Sequence, residues 1–126
     1  MSKEERPSGV AGMLPEEINS RITLKLEKEL QKQIMGWLEI HDVFAARQRM
    51  DKKSNLRPGY PDIWFVWRSS YGMPVPVAVE CKVGGERQTR EQMQAQARME
   101  KDGWRYFLVR SLPELIEILL PISTNS

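Results

Sequence analysis

From Pro15 to about Ile40 the apolar residues return at steps of three and four. Ile18, Ile22, Leu26, Leu30, Ile34 (or Gln33), Trp37 and Leu38 share one face at helical spacing. Pro15 suits a first helical turn. The stretch reads as one long helix, or as two that part near Asn19-Ser20, and His41-Asp42 ends it. Val43 to Met50 then reads as a strand, with Val43, Ala45 and Arg47 on one face and Phe44 and Ala46 on the other. Asp51 to Tyr60 is loop. Asp62 to Trp67 holds an unbroken apolar run, Ile63 to Trp67, as expected of a strand covered on both faces. A turn through Ser69 to Pro74 leads to a second such strand, Val75 to Val83, which Gly84-Gly85 breaks. Thr89 to Asp102 reads as a helix stopped by Gly103. Trp104 to Val109 is a short strand, and Ser111 with Glu114 forms a capping-box pattern that opens a last helix.

The order is α-β-β-β-α-β-α, without repeats or low-complexity tracts, which predicts an α/β fold. At 126 residues the chain suits one domain. We divide it into a flexible tail over 1–14, a single domain over 15–120 and a short tail over 121–126. No apolar run reaches the roughly 20 residues of a membrane span, and no secretory signal is visible. One cysteine, Cys81, excludes an internal disulfide framework. A reducing, cytoplasmic setting is the expectation, or a host cytoplasm if the chain is phage-encoded. The net charge of +2 says little, but its distribution says more. Residues 41–110 carry a clear basic excess, flanked by slightly acidic ends, which fits a surface facing a polyanion as well as it fits ordinary solvated charge.

The two central strands suggest chemistry. A turn centred near Tyr71-Gly72 sets Asp62 opposite about Cys81. Glu80 and Lys82 stand two apart on one strand, so they share a face and both neighbour Asp62 at the open end of the hairpin. Cys81 points the other way, into apolar company. Two close carboxylates repel one another. A divalent cation relieves that repulsion, and hard oxygen donors suit Mg²⁺. The plainer alternative is a salt bridge from Lys82 to Asp62 or Glu80. The single histidine, His41, reads as a helix-end cap and excludes histidine-clustered metal sites.

Gly59-Tyr60-Pro61-Asp62 followed by Glu80-Cys81-Lys82 resembles the PD-(D/E)XK nuclease motif. With the Gly84-Gly85 pair, Thr89-Arg90-Glu91-Gln92, and Gln92 ten residues after Lys82, the chain resembles the VRR-NUC family of that superfamily, from about Leu26 to Leu119. The resemblance implies a restriction-endonuclease-like core, α-β-β-β-α-β, with a C-terminal helix. It implies hydrolysis of DNA phosphodiesters with Mg²⁺ or Mn²⁺. Asp62, Glu80 and the backbone carbonyl of Cys81 would bind metal, and Lys82 would handle the nucleophilic water. The first-helix acid would be Glu29, with Glu27 as the alternative register. Without that role, Glu29 is an exposed helix residue paired with Lys25 or Lys32.

Gln92 either orients a catalytic group or closes a capping box with Thr89, and Gln96, one turn on, is a second candidate. The resemblance puts an apolar residue where Gln88 stands, a departure expected to touch no chemistry. Small members of the family resemble dimeric junction-cleaving enzymes, which implies a homodimer acting on branched DNA such as four-way junctions. A flap, nicking or defence-type nuclease shares the same site, and a non-catalytic nucleic-acid-binding module is the rival from another class. Arg47, Arg49, Lys52, Lys53, Arg57, Arg87 and Arg90 flank the site and are candidate DNA contacts. Tyr60 reads as a packed loop aromatic with base stacking as its alternative, and Trp37, Trp64, Trp67 and Trp104 read as core.

Overall fold

The computed structural model describes residues 14–48 and 59–125. Seven elements follow in the expected order: α1 (Pro15–Ile40), β1 (Ala45–Arg47), β2 (Ile63–Arg68), β3 (Pro74–Cys81), α2 (Arg90–Lys101), β4 (Arg105–Val109) and α3 (Leu112–Asn125). The four strands form one sheet in the order β1-β2-β3-β4. The β1–β2 and β2–β3 pairs are antiparallel, and β3 pairs with β4 in parallel. A parallel pair needs a crossover, and α2 supplies it. Among the described residues no helix is long and apolar enough to cross a membrane.

One face of the sheet carries the apolar core. Ile63, Phe65 and Trp67 of β2, Val77, Val79 and Cys81 of β3 and Val109 of β4 meet Leu30, Ile34 and Leu38 of α1 and Leu115 and Leu119 of α3. The opposite face is covered only in part. Ala78, Glu80 and Tyr106 are buried there, whereas Trp64 is half-buried and Val66 exposed. The run Ile63–Trp67 is therefore covered on one face, not two: α2 lies against β4 and leaves β2 half open on its side.

The long first helix is continuous, with no break at Asn19-Ser20. Its 26 residues span about 39 Å, more than the sheet can cover, so burial begins only at Leu30. Ile22, Leu24 and Leu26 are exposed, although Ile22 and Leu26 belong to the apolar stripe. The hairpin register also differs by one residue from the sequence reading. Ile63 pairs with Val79, and the ladder continues through the Asp62 amide to the Val79 carbonyl at 3.0 Å. Asp62 therefore stands opposite Glu80 rather than Cys81, and residues opposite one another share a face. At the far end α3 continues through Asn125, so residues 121–125 are helix rather than tail. Pro121 lies inside that helix, and Ile122 beyond it still packs on the core. The expected strand Val43–Met50 is three residues long, Ala45–Arg47, with Met50 outside the described residues.

Candidate active site

The segment before β2 is fixed at several points. The Gln48 side-chain amide donates to the Tyr60 and Pro61 carbonyls at 2.7 and 2.9 Å. The Gln48 backbone amide donates to the Asp62 carbonyl at 2.9 Å. Gly59 (φ +94°) lies so close to the first turn of α2 that a side chain there would meet the Glu91 carbonyl. These contacts aim Asp62 across the sheet end, where its Oδ2 accepts from the Cys81 amide at 2.8 Å.

Glu80 is fully buried on the face toward α2. Its Oε1 accepts from the Tyr106 hydroxyl at 2.6 Å. Its Oε2 is buried with no hydrogen-bond partner; Gln88 supports the charge at longer range without closing a bond to that oxygen. Lys82 follows on the same face and is only 7% exposed. Among the described residues no direct ion pair joins it to Asp62 or Glu80. The salt-bridge alternative is thus not what holds Lys82, which acts on both carboxylates through space.

Glu27 of α1 and Glu86 after the Gly84-Gly85 turn complete the acidic surround, sharing a hydrogen bond. Burial, that bond, and repulsion from Glu86 and Asp62 push Glu27 well up, with Lys82 opposing. The same bond holds Glu86 below its usual range, as when two carboxylates share one proton. Burial pushes Asp62 up to about 6, against the Cys81 amide bond that favours its charge, and Glu80 repels it further. Burial also raises Glu80, offset by the Tyr106 bond and by Lys82.

The α1 carboxylate that the structure brings to this cluster is Glu27, whereas Glu29, the expected one, stands away from it. Glu29 is exposed and pairs with Lys32 at 3.8 Å. Gln92 closes the capping box: its Oε1 accepts from the Thr89 amide at 2.8 Å while the Thr89 hydroxyl accepts from the Gln92 amide at 3.1 Å. Its side chain is thereby committed to the helix end. Gln88, expected to be idle, is the glutamine that reaches Glu80, and Gln96 accepts from its amide at 2.8 Å. Cys81 has its thiol in the apolar core and its amide on Asp62. Arg110 grips the turn that carries Glu86, donating to the Gly84 and Glu86 carbonyls, each at 2.8 Å.

Tyr106, Gln88, Glu86 and Arg110 belong to no motif in the sequence. For Tyr106 strand alternation alone offers a signal, since it lies on the opposite face of β4 from the core residue Val109. His41 caps α1 as expected, its Nδ1 2.8 Å from the Trp37 carbonyl. Arg47, Arg87 and Arg90 are exposed; Arg49, Lys52, Lys53 and Arg57 lie outside the described residues.

A divalent cation fits this donor set. Glu80 Oε2 is an orphaned buried acceptor beside a second carboxylate, and all the donors are hard oxygens. Among the described residues no three His, Cys, Asp or Glu side chains form a ready-made cage. Two carboxylates with remaining positions left to water, carbonyl and phosphate is the Mg²⁺ habit.

With cations removed by EDTA, the raised carboxyls have a consequence for stability. A carboxyl raised in the fold binds its proton more tightly there than in the unfolded chain, so its contribution is greatest at low pH and lost as pH rises. For Asp62 the window runs from 3.8 to about 6, a difference of roughly 3 kcal/mol. In EDTA the protein is expected to be more stable toward denaturant at pH 4.5 than at pH 7.5, and Asp62→Asn should flatten that slope. Stability that rises across this window would contradict the electrostatic reading.

A mixed sheet carrying carboxylates and a buried lysine at the ends of its central hairpin is a restriction-endonuclease-like core. No protein-family model and no curated protein matches the chain. Among solved structures it is similar to a VRR_NUC domain protein, at 19% identity over 76% of this chain and 86% of that one, with a TM-score of 0.59. The chain has the VRR-NUC fold.

Proposed function

We propose that the protein is a divalent-metal-dependent DNA endonuclease selective for branched substrates such as four-way junctions. The observation that carries the reading is the unpartnered, buried Glu80 Oε2, set beside Asp62 and Lys82 within the VRR-NUC fold. Asp62, Glu80 and the Cys81 carbonyl would hold Mg²⁺ or Mn²⁺, with Glu27 close by. Bound there, the cation would supply an activated water and neutralise charge at phosphorus. Tyr106 fixes one oxygen of Glu80 and leaves the other for the cation. The Cys81 amide does the same for Asp62. Lys82 presents a buried ammonium that orients the attacking water or steadies negative charge growing on the phosphate.

Arg47, Arg87 and Arg90, with Arg49, Lys52, Lys53 and Arg57 on the segment leading to Gly59, would contact DNA phosphates. No element among the described residues resembles a major-groove reading module, so shape rather than sequence would select the substrate. Two copies suit a two-fold junction. The exposed Ile22 and Leu26, one turn apart on α1, are the apolar surface such a dimer would cover, and light scattering at micromolar concentration is expected to report a dimer that Leu26→Glu separates.

Labelled junction, flap, duplex and single-stranded DNA, matched in sequence and incubated with Mg²⁺ or EDTA, test the reading. Junction cleavage is expected with Mg²⁺ only, at positions that follow the branch when the sequence is scrambled. Asp62→Ala should abolish it while leaving junction binding intact. Cutting at one short sequence irrespective of branching would make it a sequence-specific nuclease. Binding without cleavage would make it a non-catalytic module.

A further inference from the structure

Beside the catalytic cluster runs a groove of about 620 Å³. Its walls are aromatic: Tyr60, Trp64 and Trp104, with Met99 and Arg98 of α2. The sequence reading places Trp64 and Trp104 in the core, but both are half-buried because α2 leaves that face of β2 open. Tyr60 is exposed and two residues before Asp62. Asp62 and Trp64 lie two apart along the chain, so their side chains share a face about 7 Å apart. The groove, lined by Tyr60, Pro61 and Trp64, therefore flanks Asp62, the carboxylate that would hold the cation at the scissile phosphate.

Its charge balance narrows the occupant. Among the described residues the lining holds one cation, Arg98, and two carboxylates, Glu91 and Asp102. A backbone track of phosphates would want the opposite excess. An uncharged, flat, polar-edged group suits it better: its faces meet the indole and phenol rings, while carboxylates accept from exocyclic amines. We propose that the groove is a nucleobase pocket that takes an unpaired base splayed from the strand next to the phosphate being cut. The proposal rests on the nuclease reading and deepens it. A base inside a duplex is stacked on both sides and cannot enter. Only a nucleotide freed at a branch, flap or single-stranded stretch can fill the pocket, which makes unpaired structure at the cut site a requirement built into the fold.

The test uses the full chain in EDTA, so that no cleavage occurs. Tryptophan fluorescence is followed during titration with a short single-stranded oligodeoxynucleotide of mixed bases and with an abasic strand of equal length and charge. Quenching is expected with the base-bearing strand and not with the abasic one. Trp64→Ala should weaken base-dependent binding roughly tenfold or more, since stacking accounts for about 1–3 kcal/mol per base. Trp64→Phe should restore most of it, and the abasic comparison on wild-type protein stands even if Trp64→Ala fails to fold. Equal binding of the two strands overturns the proposal. So does concentration-dependent quenching without DNA, which would mean that a second copy fills the groove. Base-dependent quenching in a protein that cleaves no DNA with Mg²⁺ or Mn²⁺ would instead refute the nuclease reading and leave the pocket standing.

Discussion

Replacing Lys82 by alanine is expected to remove cleavage while leaving cation binding intact or tighter. The ammonium is buried beside Glu80 on one strand and lowers the proton affinity of Asp62, Glu80, Glu27 and Glu86 together. Taking away that charge leaves Asp62 and Glu80 without their nearby counter-charge, an arrangement that attracts a divalent cation more strongly. Chemistry should suffer nonetheless, because Lys82 is the buried cationic side chain that stands among these carboxylates. Loss of a group in that role typically costs about 10²–10⁴-fold. Calorimetry with Mn²⁺ and single-turnover cleavage of a pre-bound junction separate the two effects. A Lys82→Ala enzyme that cuts within a few-fold of wild type would reduce Lys82 to a structural counter-charge. If both binding and cleavage fall together, Lys82 organises the carboxylates rather than the reaction.

Why Glu27 and not Glu29 stands at the site shows where sequence reasoning stops. The two positions differ by some 200° around a helix, so the choice depends on the angle at which α1 meets the sheet. Periodicity cannot supply that angle, because the apolar stripe runs on through Ile22 and Leu26, where α1 has outrun its partners. Local signals do better. Thr89 and Gln92 are a capping box in sequence and in structure, since all the atoms involved lie within one turn. The Asp62, Glu80 and Lys82 grouping is legible because strand alternation and one hairpin turn determine it. A one-residue difference in register puts Asp62 squarely opposite Glu80. Tyr106 and Gln88 are not legible as site residues. Tyr106 reaches Glu80 from the neighbouring strand β4, a pairing set by the β3–β4 crossover, and Gln88 acts on it from the entry to α2; neither placement is local in sequence. The same partial cover by α2 leaves Trp64 and Trp104 lining a groove, where their apolar surroundings in the sequence suggest burial.

Gly59→Ala is expected to cost the fold about 2–6 kcal/mol. Two penalties coincide there. The backbone has φ +94°, a left-handed conformation that side chains rarely adopt. A Cβ would also run into the Glu91 carbonyl and approach the Gln92 nitrogen at 3.0 Å. Those atoms are helix backbone, held by the Thr89–Gln92 cap, and cannot swing aside as a flexible side chain would. Relief would have to come from moving α2 or the Tyr60–Asp62 segment. Either movement changes the carboxylate cluster, because the same segment carries Asp62 and the same helix entry follows Gln88. Gly36→Ala is the internal comparison. It sits in α1 with nothing within 4 Å of the point where a methyl group would stand, and alanine there should stabilise by up to about 1 kcal/mol. Thermal unfolding should therefore move in opposite directions for the two variants, by roughly 10 °C or more downward for Gly59→Ala. Under conditions where Gly59→Ala remains folded, its cation affinity should still fall, since Asp62 can no longer be aimed across the sheet end. A Gly59→Ala protein with wild-type stability and wild-type cation affinity would mean that the contact between the Asp62 segment and α2 does not position the site.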